Sequence, residues 1–156
     1  MITISAPGKV HLIGEHSVVY GKPAIIAAVG LRCYVDVEKS DNVVFESKDF
    51  GNAKCSAKEV LETAENAKKL WEEGYSEGDF SKLFGYCKKD KFTPLAIAVG
   101  IALKKIAAKD GVKLRIKSEI PIGSGLGYSS AIAVSVSKAV AEVYGRKFSK
   151  EEMAFS

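Results

Sequence analysis

Side-chain character alternates strictly over Leu31–Glu38 (LRCYVDVE), which puts Leu31, Cys33, Val35 and Val37 on one face of a half-buried strand. Val43–Glu46 is its expected antiparallel partner, joined through the turn-forming residues Ser40, Asp41 and Asn42. Upstream, Ile2–Ser5 reads as a short strand, and Val10–Ile13 as a second extended piece following a turn at Pro7-Gly8. After residue 55 the period changes from two to helical. Ser56-Ala57-Lys58-Glu59 has the form of a capping box, and Val60, Leu61, Ala64, Ala67, Lys68 and Trp71 continue the pattern to about Glu73.

A short helix is expected near Ser81–Lys88, then a strongly apolar one over Pro94–Lys109, closed by Gly111 and buried between layers. Val112–Ser118 alternates as a strand, and a glycine-rich loop at Pro121–Gly127 follows it. The last full helix runs from about Ser129 to Tyr144, burying Ile132, Val136, Ala139, Val140 and Val143, with Gly145 as its stop. Ser149-Lys150-Glu151-Glu152 repeats the capping-box pattern, yet only about two turns could fit before Ser156. So short a helix is marginal alone, which leads us to expect that the chain is part of a longer protein.

Strands and helices in this order make a single α+β domain, a mixed sheet packed with helices, and 156 residues is ordinary for one domain. With 47% hydrophobic and 27% charged residues the composition is globular, which excludes a disordered or low-complexity chain. The net charge of +4 is scattered, which suits an anionic small molecule and falls short of the basic face of a nucleic-acid binder. The longest apolar stretches, around Ala24–Leu31 and Pro94–Leu103, are much shorter than a membrane span, and MITISAPGKV carries no secretory pattern. Cys33, Cys55 and Cys87 lack metal-ligand spacing and read as free thiols of a reducing, cytoplasmic compartment.

The chemistry concentrates in Pro121-Ile122-Gly123-Ser124-Gly125-Leu126-Gly127-Tyr128-Ser129-Ser130-Ala131. Alternate glycines let the backbone bend and approach a ligand closely, and the loop feeds a helix whose first amides lack partners. Such a helix start attracts phosphate, and the hydroxyls of Ser129 and Ser130 could reach a phosphate-bound magnesium. The same loop could instead serve only to pack strand against helix. It is neither a dinucleotide fingerprint, which needs glycine where Tyr128 stands, nor a Walker loop, which needs a lysine after its last glycine. A second constellation, Ala6-Pro7-Gly8-Lys9-Val10-His11-Leu12-Ile13-Gly14-Glu15-His16, offers Lys9 to neutralise phosphate and Glu15 and His16 for contacts to a hydroxylated substrate or magnesium. Taken singly, these three would also be at home as solvated or turn residues.

Together the two segments resemble the motifs of the galactokinase, homoserine kinase, mevalonate kinase and phosphomevalonate kinase (GHMP) family of small-molecule kinases. Pro7-Gly8-Lys9-Val10 through Gly14-Glu15-His16-Ser17-Val18-Val19-Tyr20-Gly21 is similar to the first motif of its mevalonate-kinase branch, and Pro121–Ala131 to the family's second motif. The resemblance implies an N-terminal ATP-binding domain over 1–156, related to ribosomal protein S5 domain 2, with a C-terminal domain lying outside this sequence. It implies ATP and Mg2+ as cofactors and mevalonate as the phosphoryl acceptor. By position, Pro121, Ile122, Gly123, Ser124, Gly125, Leu126, Gly127, Tyr128, Ser129, Ser130 and Ala131 would surround the phosphates. Ser129 would meet the magnesium, and Ser118 would be a further nucleotide contact. Lys9 would stand by the transferred phosphate as the catalytic cation, and Glu15 and His16 would shape the acceptor site.

Tyr128 departs from the family, which usually has serine there; its amide can still serve phosphate, and a one-residue shift would make Ser130 the metal contact instead of Ser129. None of the acidic residues matches the family's base or acidic magnesium ligand, so the 156 residues alone are expected to be inactive or nearly so. A severed domain would expose apolar surface, and is expected to associate as a homodimer or to be poorly soluble. Another GHMP kinase, or a non-catalytic nucleotide-binding module, remains open on these residues.

Overall fold

The computed structural model describes residues 1–16, 20–149 and 152. Nine elements follow in chain order: β1 (Ile2–Ile13), β2 (Ile25–Ser40), β3 (Val43–Ser47), β4 (Gly51–Cys55), α1 (Ala57–Glu77), α2 (Ser81–Lys88), α3 (Thr93–Ile106), β5 (Gly111–Ser118) and α4 (Tyr128–Val143). The strands form one mixed sheet in the order β1-β2-β5-β3-β4. The alternation expected of β2 holds: Cys33, Val35 and Val37 are buried, while Leu31 is exposed. With Ile4, Val43, Phe45, Val112, Leu114 and Ile116 they make the sheet's inner face, covered by α4 and, beside it, α3 and α1. The opposite face is ionic. Arg115 donates to Glu38 at 3.2 Å and to Glu46 at 2.9 Å, and Lys113 lies 2.8 Å from Glu46. The Lys113 ammonium, ahead of Arg115, holds the Glu46 carboxyl below the ordinary carboxylate range.

Three boundaries differ from the expectation. Ile2–Ser5 and Val10–Ile13 belong to one continuous strand, with a register shift between Pro7 and Lys9 rather than a turn. A proline is tolerated there because β1 is an edge strand and the bulge removes the need for its N–H. β3 is not the partner of β2: β5 lies between them, antiparallel to β2 and parallel to β3, and β3 pairs antiparallel with β4. Finally, α3 ends at Ala107, which takes φ 55°, not at Gly111. Gly111 serves a different need, since a Cβ there would lie 2.2 Å from the backbone carbon of Asn42.

The helices otherwise follow the pattern. The Ser56 hydroxyl accepts from the Glu59 amide at 3.2 Å while the Glu59 carboxylate accepts from the Ser56 amide at 2.6 Å, the reciprocal box expected. α1 runs past Glu73 to a left-handed Gly78, and Trp71 is half exposed, stacked on Tyr75. α3 buries Leu95, Val99 and Leu103 between α1 and α4. α4 closes on Gly145 with the paired bonds of a Schellman motif, Gly145 N–H to Glu142 and Arg146 N–H to Ala141. The second capping box also forms, between Ser149 and Glu152, although Lys150 and Glu151 lie outside the described residues.

The three cysteines are free thiols. Burial raises Cys33 to about 11, and its side chain is fully enclosed. Iodoacetamide applied to the native chain at neutral pH should therefore modify Cys55 and Cys87 well before Cys33, as read by peptide mass spectrometry. Equal rates would mean that the inner face of β2 is open to solvent.

Candidate functional site

The end of β5 and the start of α4 are linked by Pro121–Gly127. Gly123, Gly125 and Gly127 take φ of 75°, 74° and 75°, a region costly for any side-chain-bearing residue. Alternating left-handed glycines with ordinary residues curls the chain into a concave turn of the kind that directs successive amides inward. The turn is stapled from within: the Ser124 hydroxyl donates to the Pro121 carbonyl at 2.8 Å and accepts from the Leu126 amide at 3.4 Å. At its end α4 starts without a capping side chain, because Gly127 is the N-cap. The amides of Tyr128, Ser129 and Ser130 are thus left for an external acceptor, at the positive end of the helix dipole. The side chains of Ser129 and Ser130 are exposed beside them.

The bulge of β1 meets this turn directly. The Lys9 amide donates to the Leu126 carbonyl at 2.8 Å. The approach depends on two glycines. A Cβ on Gly8 would stand 2.8 Å from the Leu126 oxygen and 2.9 Å from Val29, and one on Gly127 would stand 2.9 Å from Cγ of Lys9. The Lys9 stem therefore crosses the face of Gly127, bringing its ammonium to the helix start. There it donates to Nδ1 of His11 at 2.9 Å. With the ammonium as donor, Nδ1 is the acceptor of this bond.

The structure thus unites Lys9 with the glycine turn. It does not unite Glu15 and His16 with it. They lie past the end of β1, and Lys9 to Ile13 alone is about 13 Å of strand. With His11, Leu12, Ile13 and Gly14 they line a shallow concavity of about 390 Å³. Gly14 permits this bend, having φ 92° and no room for a Cβ against Pro23 and Ala24. Ser118 also differs from a free ligand: its hydroxyl accepts from the Ile120 amide at 3.0 Å and shapes the exit from β5. Tyr128 turns toward the β3–β4 connection. Its ring tilts on Phe50 at 5.9 Å, and its hydroxyl donates to Asp49 at 3.0 Å. Burial and the Asp49 carboxylate together raise the phenol far above its ordinary value, so it stays protonated.

Sequence reasoning missed His11, Asp49 and Phe50. Lys9 and His11 are two apart on a strand and so share a face, a signal that was available. Nothing local announces the bond between Tyr128 and Asp49, which spans 79 positions.

Comparison with known proteins bears on the fold and the domain. Residues 94–155 match the family model described as the GHMP kinases N terminal domain. A mevalonate kinase of Thermococcus onnurineus is 39% identical over 98% of this chain and 42% of its own length. One of Thermococcus sibiricus is 35% identical, with the same coverage of both chains. The crystal structure of the Methanococcus jannaschii mevalonate kinase superposes with a TM-score of 0.76 at 26% identity, covering 99% of this chain and 44% of that one. The chain thus spans under half the length of the relatives it matches. Residues 94–155 thus carry the GHMP kinases N terminal domain, on a chain whose mixed sheet and one-sided helices are similar throughout to the first part of the mevalonate kinases.

Proposed function

We propose that the chain binds the phosphates of ATP in the turn Pro121–Gly127 and serves an ATP-dependent phosphotransferase whose acceptor is mevalonate. The observation that supports this is the meeting of Lys9 with Leu126 and Gly127, which sets a cation beside a row of unpartnered amides. Each part has one task. The amides of Gly125, Gly127, Tyr128, Ser129 and Ser130 replace water around the phosphate oxygens, and Lys9 offsets charge where it accumulates during transfer. Magnesium, when bound, would offset phosphate charge during transfer. The Ser129 hydroxyl fits as one of its oxygen ligands, and no group of three acidic, histidine or cysteine side chains among the described residues would hold the ion alone. Glu15 and His16 line the concavity offered to the acceptor. Mevalonate as that acceptor follows the relatives' names and the first motif.

Calorimetric titration of the chain with ATP and magnesium is expected to show binding that tripolyphosphate competes away. Ser129→Ala should weaken the magnesium-dependent part several-fold more than Ser130→Ala. No heat of binding would overturn the reading. The reverse order of the two serines would move the metal contact to Ser130.

A further inference from the structure

His11 stands where the phosphate site and the acceptor concavity adjoin. It both lines the concavity and bonds Lys9. The Lys9 side chain is long and flexible, and an unheld ammonium on four methylenes gives up considerable rotamer freedom whenever it must point one way. Two contacts remove that freedom here. Gly127 lets the stem lie flat across the turn, and Nδ1 of His11 takes one ammonium proton at 2.9 Å. One donor is then used and two remain for an anion at the helix start. The imidazole is itself oriented by its strand, because residues nine and eleven of β1 share a face and the ring cannot swing far from Lys9.

We propose that His11 is a positioning residue for Lys9: its Nδ1 holds the ammonium against the glycine turn, ordering it before nucleotide arrives. This rests on the reading of the turn as a triphosphate site. The action runs entirely through Lys9, and no bond is made or broken by the ring. His11→Gln preserves an oxygen acceptor at comparable reach, whereas His11→Leu removes it while keeping bulk.

The test is a double-mutant cycle on nucleotide affinity, measured by calorimetry with ATP and magnesium for the unsubstituted chain, Lys9→Met, His11→Leu and the pair. His11→Leu is expected to weaken binding about five- to tenfold when Lys9 is present, the scale of one ordinary hydrogen bond. In the Lys9→Met background it should cost nothing, and His11→Gln should recover most of the loss. A loss from His11→Leu that is equal in both backgrounds overturns the proposal alone, since it would mark a merely structural role. Binding that Lys9→Met leaves unchanged overturns the placement of Lys9 and the proposal with it. The bond itself is read separately in the ligand-free chain by nitrogen-15 spectra of its two histidines. His11 should show an unprotonated Nδ1, and its signals should shift in Lys9→Met while those of His16 do not. An Nδ1-protonated His11 overturns the proposal even where the nucleotide reading survives.

Discussion

Alanine in place of Gly127 is expected to reduce affinity for ATP with magnesium by about ten- to a hundredfold. Two effects act together. The residue holds φ 75°, where a Cβ costs about 1–2 kcal/mol, so the backbone would tend to leave the left-handed region. The new methyl would also lie 2.9 Å from Cγ of Lys9, forcing the stem off the turn. Relaxing either strain re-aims the amides of Tyr128 and Ser129, and each charge-assisted bond lost to phosphate is worth roughly 1.5–3 kcal/mol. Gly125→Ala separates the two effects. It shares the φ problem at 74° but meets nothing within 4 Å, so its loss should be smaller. Calorimetry on both variants decides the matter. Equal losses would mean that the Lys9 contact is irrelevant, and no loss in either would remove the turn from the site.

Gly100→Ala should be strongly destabilising. A Cβ there would sit 2.2 Å from the Val60 carbonyl and 2.7 Å from Ala64, so α1 and α3 must move apart. Overpacking of this kind costs about 2–3 kcal/mol, or roughly 5–10 °C of melting temperature for a domain of this size. The same substitution at Gly85 should have the opposite sign. That glycine lies inside α2 with nothing within 4 Å, so alanine removes unfolded-state entropy and gains roughly 0.5–1 kcal/mol. Thermal unfolding followed by circular dichroism should show one midpoint falling and the other rising. A neutral Gly100→Ala would contradict the close crossing of the two helices.

What sequence could reveal divides along the range of the contact involved. Ser56, Glu59 and Gly145 act within a few residues of themselves, and their caps form as the pattern predicts. The inner face of β2 and the glycine turn were equally legible, since a period of two and three alternate glycines are local facts. The failures are all pairings across distance. Pro7-Gly8 looks like a turn because the sequence does not say that β1 is an edge strand with a bulge. Gly111 looks like a helix stop because its true neighbour, Asn42, is remote in the chain. Val43–Glu46 looks like the partner of β2 because a short turn precedes it, while β5 competes from some 70 residues away and wins that edge. At the site, the Lys9 meeting with Leu126 likewise spans the chain, so spacing suggested the parts without fixing their contact. Glu15 and His16 lie past the end of β1, in a concavity that reaches Lys9 only through His11.

The insertion of β5 between β2 and β3 also governs how a nascent chain acquires this shape. As the polypeptide leaves the ribosome, β1 can zip to β2 and β3 to β4, but the two hairpins share no seam until residues 111–118 have emerged. Over the 55 residues between β4 and β5, each hairpin presents a bare edge, and the inner face with Val35, Val37, Val43 and Phe45 still awaits α4. Ribosome-bound chains stalled before residue 111 should therefore be protease-sensitive and prone to chaperone capture, and those stalled past α4 resistant. That late closure makes β5 the clasp of the domain.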